Sequence, residues 1–382
     1  MKIKQLLTRR EFFKNSAQLC GLGTCWLASS MPISLLASKT EKDEIYRKEA
    51  RYFEKLPNRK IKCLLCPREC VIDDQETGYC GVRENHEGTY YTLVYGRACS
   101  ANVDPIEKKP LFHFFPGSKA FSIATAGCNV LCKFCQNWEI SQARPDQINS
   151  YTLFPADVAA YAKRTNCKII AYTYSEPVIF YEYMYDCAEK GHEVGVRSVM
   201  ITNGYIQAQP MRDLCDVLDA VKIDLKAFTE KFYREIVAGH LKPVLDTLIL
   251  LKEEGMWTEI VYLVIPTLND DPKELKQMCK WIIDELGADV PIHFSRFYPV
   301  YRLRNLPPTP PKTLEMARDI ALDAGIHYAY IGNVPGHEGE NTFCPQCKKV
   351  IIRRIGYQVL ENHITARGQC EYCNQKIPGV WQ

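Results

Sequence analysis

What the chain lacks is a charge bias. Its 48 lysines and arginines stand against 45 aspartates and glutamates, for a formal net charge of +3, and no basic stripe runs through it. A nucleic-acid partner, which needs such a stripe to neutralise phosphates, is therefore not expected. Long apolar runs are equally scarce: beyond the first forty residues nothing matches the ~20 consecutive apolar residues of a membrane-spanning helix. Apolar content of 46% and charged content of 24% are those of an ordinary globular protein. A length of 382 residues suits one large domain with additions, burying roughly 75% of its unfolded surface.

Cysteine, by contrast, is abundant. There are 18, several in C-x2-C groups, which in a long chain read as metal or cluster ligands before disulfides. The stretch that organises the rest is Phe121 to Ser141, FSIATAGCNVLCKFCQNWEIS. A β-prone segment ends at Gly127, and Cys128, Cys132 and Cys135 follow at C-x3-C-x2-C. At this cysteine density the triple is a chance event on the order of 0.04 times per chain. A loop leaving a strand end can wrap an iron–sulfur cube where a straight helix cannot. Three thiolates on a four-iron cube leave one iron open, and an open position marks a cluster that handles a substrate as well as electrons.

Two further cysteine groups flank this stretch. Cys63-x2-Cys66-x3-Cys70-x9-Cys80, with Pro67 and Gly78 forcing turns, can surround one metal ion or an auxiliary cluster. Two disulfides are the competing reading there. In the tail, Cys344-x2-Cys347 and Cys370-x2-Cys373 resemble a zinc ribbon, two knuckles pinching one tetrahedral ion, with strands over 350–355 and 357–360 between them. Cys99, Cys167, Cys187, Cys215 and Cys279 stand alone in apolar or helical surroundings and read as core thiols.

Residues 1–38 are read as a leader. Thr8-Arg9-Arg10-Glu11-Phe12-Phe13-Lys14 matches a twin-arginine export signal, a modestly apolar run follows from Ser16 to Leu36, and Leu36-Ala37-Ser38 offers a cleavage site. Cys20 and Cys25 fall inside it and are not read as ligands. That route carries folded, cofactor-loaded proteins, so a periplasmic location is expected, with a cytoplasmic one as the alternative. An amphipathic lead-in helix is expected over 42–54, then strands over 90–95 and 97–103, then the turn-rich DPIEKKPLFHFFPGS, whose His113 reads as a core histidine.

From Phe121 onward strands and helices alternate, the pattern of βαβ units on a parallel sheet. Strands are expected over 121–125, 168–174, 197–203, 220–226, 258–265, 291–298 and 327–332. Helices are expected over 155–165, 177–190, 208–217, 229–253 with a break, 271–286 and 311–324. The fold class is α/β, a complete or partial (β/α) barrel with an N-terminal cysteine-rich subdomain over 39–115, the barrel over 116–334 and the ribbon-like module over 335–382. Barrel chemistry belongs at the carboxyl ends of strands. There stand Glu176, Asn203, Asp224 and Lys226, groups a ligand site on one barrel face needs. His293, closing the sixth strand, reads as a buried, hydrogen-bonded histidine.

Taken together, CLLCPREC, DPIEKKPLFHFFPGS, GCNVLCKFCQNWEIS, AYTYSEP, KIDLK and the terminal cysteine pairs with IPGVW resemble the AmmeMemoRadiSam-system radical S-adenosylmethionine (radical SAM) enzymes, relatives of the pyruvate formate-lyase activating enzymes. The likeness spans about residues 60–382. It implies a [4Fe-4S] cluster on Cys128, Cys132 and Cys135 with SAM on the open iron. Phe134 is the family's aromatic residue before the last cysteine. Glu176, Asn203, Asp224 and Lys226 would lie around SAM or the radical, Glu176 accepting from its amino group or ribose and Lys226 pairing with its carboxylate. The implied reaction is reductive cleavage of SAM to a 5′-deoxyadenosyl radical that takes hydrogen from a protein or small-molecule substrate. This activase-like chemistry needs a low-potential electron donor. The rival from another class is an exported multi-cluster electron-transfer protein without SAM chemistry.

Overall fold

The structure is a computed structural model and describes residues 43–382. The twin-arginine segment, with Cys20 and Cys25, lies outside the described residues. All contacts given below fall within one compact unit, Ile45–Gln382.

Its centre is an eight-stranded sheet made of β1 (Ser100–Pro105), β2 (Lys119–Ala124), β3 (Ile169–Tyr172), β4 (Arg197–Thr202), β5 (Ala220–Asp224), β6 (Thr258–Val264), β7 (Ile292–Arg296) and β8 (Ala329–Gly332). The strands lie in the order β8-β7-β6-β5-β4-β3-β2-β1. From β2 to β8 every pairing is parallel, with Ile169 opposite Ala120 and Val199 opposite Ala220. β1 is antiparallel to β2. Strands such as Ile169-Ile170-Ala171-Tyr172, buried at all four positions, are what a parallel sheet covered on both faces requires. The seven expected strands are all present within a few residues of their expected bounds. β1 joins them at the edge, a pairing the sequence did not reveal.

The sheet is an open, partial barrel, because β8 and β1 are its two edges. The segment after β1 bridges them. Ile106, Leu111, Phe114 and Phe115 pack against Ala120, Ile169, Ala171, Val199 and Ala220 on the inner side, and His113 reaches Tyr330 of β8 through Nε2 at 2.6 Å. The carboxyl terminus lies alongside it: Phe115 N–H donates to Val380 O and Val380 N–H to His113 O, both at 2.7 Å.

Helices α1 (Pro155–Arg164), α2 (Tyr181–Glu193), α3 (Ala208–Cys215), α4 (Leu241–Glu253), α5 (Pro272–Trp281) and α6 (Pro311–Asp323) connect the strands. Proline opens α1, α5 and α6 at a position where its missing N–H costs nothing, and Asp271 caps α5 by accepting from Lys273 N–H at 2.7 Å. The expected break in 229–253 is a π-turn, Tyr233–Val237, followed by Ala238 at φ +58°.

Among the described residues, the lead-in helix expected over 42–54 does not continue past residue 44. Two short strands replace it: Lys48–Glu49 pairs with Tyr91 and Thr92, and Phe53–Lys55 pairs with Ile61–Cys63. Tyr52, at φ +59°, interrupts any helix there. The charged pattern is used instead for tertiary ties, such as Arg51 N–H to the Glu182 carboxylate at 2.7 Å; tertiary pairing outweighs weak helix propensity. Both histidines read as core residues are buried and bonded. His113 also meets Pro378 O at 2.7 Å, and His293 meets Glu259 at 2.8 Å. Burial pushes His113 down to about 4.

Candidate active site

β2 ends at Ala124, and the chain turns at Gly127, whose φ of +98° leaves no room for a side chain. A Cβ there would lie 2.7 Å from Val82 Cγ1 and 2.8 Å from Cys80 O. The loop that follows carries Cys128, Cys132 and Cys135, and its backbone is tied down. Leu131 N–H and Lys133 N–H donate to the carbonyls of Val237 and Ile236, both at 2.9 Å, so the π-turn acts as the loop's anchor; such turns recur at functional sites. Asn129 accepts from Asn203 Nδ2 at 2.8 Å and donates to Tyr205 O at 2.7 Å.

The three thiols line one side of a cavity of about 470 Å³, within the range of small-molecule sites. Glu176, Asn203, Asp224, Lys226 and Phe134 line it as well, so the structure brings together every residue singled out around the triple. All three cysteines are free thiols. Burial raises Cys132 to about 12 and raises Cys128 well above the ordinary thiol range. As thiolates, Cys128 and Cys132 need a compensating metal charge in so buried a place. Among the described residues only the tail four have three or more ligand atoms mutually within 4.8 Å. The triple is more widely spread than that group, which suits a polynuclear cube.

Glu176 is the N-cap of the short helical turn Pro177–Phe180. Its carboxylate accepts from Thr202 Oγ1 at 2.5 Å, Asn203 N–H at 2.9 Å and Val178 N–H at 3.2 Å. Burial nevertheless wins over these donors and raises the carboxyl to about 7. Lys222, Asp224 and Lys226 share one face of β5 and its extension, as period-two geometry requires. Asp224 takes the ammonium groups of both lysines, that of Lys226 at 2.8 Å. Burial alone would raise Asp224, but the two lysines overcome it and hold the carboxyl at about 2. Burial likewise opposes the charge of Lys226, and Asp224 with Cys132 more than restores it. Phe134 packs against Phe232, with the Lys226 ammonium 5.9 Å from its ring.

Several lining residues escaped the sequence reading. Lys222 could have been found, since it lies two positions before Asp224. Ser175 lies inside the AYTYSEP motif; its Oγ is buried without a partner. Further lining comes from Glu107, Lys108 and Lys109 after β1 and from Glu340, Gly356 and Tyr357 of the tail. The DPIEKK run offered no ligand pattern. What fixes it is Asp104, which holds Lys109 at 2.6 Å and Lys108 at 2.9 Å and also accepts from Tyr174.

In the tail, Cys344 and Cys373 are 3.6 Å apart and Cys347 and Cys370 3.8 Å apart. Four sulfurs at ~2.3 Å from one tetrahedral ion stand about 3.8 Å from each other, so this group has the size of a single-ion site.

A profile of the family described as "Radical SAM superfamily" matches residues 122–281. A Methanocaldococcus jannaschii protein, itself titled uncharacterized, is 46% identical over 331 residues, covering 86% of this chain and 98% of its own. The chain belongs to the radical SAM superfamily. Its chemistry rests on an iron–sulfur cluster and SAM, and it needs a reductant. Solved structures align more loosely. A radical SAM methyltransferase from Sphaerobacter thermophilus gives a TM-score of 0.47 at 16% identity over 59% of this chain and 71% of that one. A domain of pyruvate-formate lyase-activating enzyme from Bacteroides vulgatus gives 0.39 at 15%, over 43% and 98%. At those scores neither bears on substrate. Among the described residues no helix is long and apolar enough to cross a membrane.

Proposed function

We propose that this radical SAM protein is a hydrogen-abstracting enzyme of the AmmeMemoRadiSam, activase-like kind, acting on a protein or small-molecule substrate. The observation that carries the reading is the shared cavity: three free thiols on one loop, with Glu176, Asp224 and Lys226 on adjoining strand ends. Bound there, a [4Fe-4S] cluster and SAM supply one-electron cleavage of a sulfonium carbon–sulfur bond and so a 5′-deoxyadenosyl radical.

The chain's own residues bind and orient. Cys128, Cys132 and Cys135 hold the cluster by three thiolates. Glu176 Oε1 is filled by Thr202 Oγ1 and Val178 N–H, whereas Oε2 accepts from Asn203 N–H alone and keeps a lone pair for the SAM amino group. Lys226 gives one N–H to Asp224 and has two left for a carboxylate. Asn203 spends its amide on Asn129 and on Tyr205 N–H at 2.8 Å; it holds the loop and strand end in register. Asp224 keeps both lysines charged and aimed, and Phe134 covers the loop with an apolar ring that keeps water off the thiolates. For the tail group, the sulfur spacing supports structural zinc.

Anaerobically reconstituted protein given dithionite and SAM is expected to form 5′-deoxyadenosine, and Cys132→Ala is expected to form none. A fully loaded wild type that is redox-active but leaves SAM intact would overturn the reading in favour of electron transfer alone.

A further inference from the structure

The four cysteines before the barrel have no part in the site above, yet they are arranged as ligands are. Cys63 ends a strand, and its N–H donates to Cys70 O at 2.9 Å, closing the C-x2-C-x3-C run into a loop. Glu69, at φ +43°, turns the chain just before Cys70. Cys80 sits in a second turn closed by Gly81 N–H to Gly78 O at 2.9 Å. All four thiols are free, and Cys63 and Cys66 are buried.

Their sulfurs also carry the mark of ligands. The backbone N–H two residues on points at sulfur in three of the four: Leu65 at Cys63, Arg68 at Cys66 and Val82 at Cys80. The same relation occurs at Cys128 with Val130 and at the tail cysteines, Cys344 with Gln346, Cys347 with Lys349 and Cys370 with Tyr372. Backbone N–H groups aimed at sulfur are among the contacts that surround cluster thiolates. Isolated core thiols lean on side chains instead, Cys167 on Thr165 and Cys187 on Tyr183.

Size separates one ion from a cluster. The tail thiols crowd to the spacing of a single tetrahedral ion, whereas among the described residues no three of Cys63, Cys66, Cys70 and Cys80 lie mutually within 4.8 Å. That wider spread suits the thiolates of a polynuclear cluster better than those of one ion. Arg83, buried and held by Glu182 at 2.7 and 2.8 Å, lies close enough to Cys63 and Cys80 to act on both thiols electrostatically. It is a cationic neighbour for the negative charge that four thiolates add.

We propose that Cys63, Cys66, Cys70 and Cys80 hold a second, four-thiolate iron–sulfur cluster against the back of the loop that carries Cys128. The two loops touch. Cys80 O and Val82 occupy the space that a Gly127 side chain would need, and Arg68, between Cys66 and Cys70, donates to the carbonyls of Asn129 and Ala238. With four protein sulfurs this cluster has no open iron, so it carries electrons and does not take SAM.

The test uses the full chain carrying Cys128→Ala, Cys132→Ala and Cys135→Ala, reconstituted anaerobically with iron and sulfide. About four iron and four sulfide per chain are expected to remain, with a reduced-state magnetic resonance signal that SAM does not alter. Adding Cys63→Ser and Cys66→Ser is expected to remove that iron while the tail's zinc stays bound, which reports an intact fold. In the reverse variant, Cys63→Ser with Cys66→Ser alone, about four iron are expected to remain. Zinc or no metal in place of iron in the triple variant would overturn the inference. A reverse variant whose remaining cluster ignores SAM would instead overturn the proposed function, so the two failures are distinguishable.

Discussion

Glu176 offers the most quantitative test of the site. Its carboxyl is raised from an ordinary 4.5 to about 7, chiefly by burial, and its side chain is almost fully enclosed. Below pH 4.5 the group is protonated whether the chain is folded or not, so burial carries no ionisation penalty. As the pH climbs toward 7 the unfolded chain ionises freely while the folded one resists, and stability is lost through that window. A displacement of this size is worth about 3 kcal/mol. Glu176→Gln cannot ionise. Turning an amide toward Thr202 or Asn203 costs about 1 kcal/mol, but equally at every pH. Denaturant titrations of iron-free wild type and variant from pH 4.5 to 8 are therefore expected to show the wild-type advantage shrinking by about 3 kcal/mol. The same ionisation governs the ligand. At pH 6 only about a tenth of the carboxyl is charged, against about half at pH 7, so SAM affinity of the loaded wild type is expected to be about fivefold below its value at neutral pH, and that dependence is expected to vanish in the variant. A stability difference that stays constant across the range would refute the reasoning.

Two other perturbations follow from the same geometry. Gly127→Ala forces a Cβ into Cys80 O and Val82 at a φ that strains any side chain; a loss of roughly 2–4 kcal/mol and a fall in bound iron at the triple are expected, read by unfolding and iron analysis, and an iron content equal to wild type would contradict the tight turn. Asp224→Asn leaves Lys222 and Lys226 without their shared counter-charge in a buried wall. A cost of roughly 2–4 kcal/mol and weakened SAM binding are expected, and unchanged stability would mean the lysines find other partners.

The fold was legible where its physics is local. Apolar runs bounded by prolines, glycines and polar strand ends located seven strands and six helices, because parallel strands buried on both faces have no polar positions to blur the pattern. The cysteine triple was legible because ligand spacing is set by bonds along the chain. Long-range pairing was not: Lys48 and Glu49 form a strand only because Tyr91 and Thr92 lie beside them, and their charges suggested an amphipathic helix instead. Asp224 and Lys226 were visible as ionisable residues at a strand end. That Lys222 joins them, and that Asp224 serves both, depends on inward-facing period-two geometry that a list of strand ends omits.

The DPIEKK run shows why half of a site can stay hidden. Its residues make no motif among themselves; they matter because an open sheet needs a wall between β1 and β8. The chain supplies that wall with residues 106–115 and seals it with the carboxyl terminus, Phe115 and His113 bonding to Val380. The tail then adds Glu340, Gly356 and Tyr357 to the same cavity, with Glu340 fixed by the N–H groups of Gly336 at 2.9 Å and Gly356 at 3.0 Å. Between the two stands Arg354, buried, donating to Phe112 O and Thr342 Oγ1, both at 2.8 Å. Glu107 faces this junction with one carboxylate oxygen held by Gly117 N–H at 2.7 Å and the other buried without a partner. A buried oxygen left unpaired costs roughly 1–3 kcal/mol, a cost that a donor entering the cavity would offset. The cysteine group at 344–373 belongs to the same tail, so the carboxyl-terminal segment combines a metal-sized cysteine site with part of the cavity's lining.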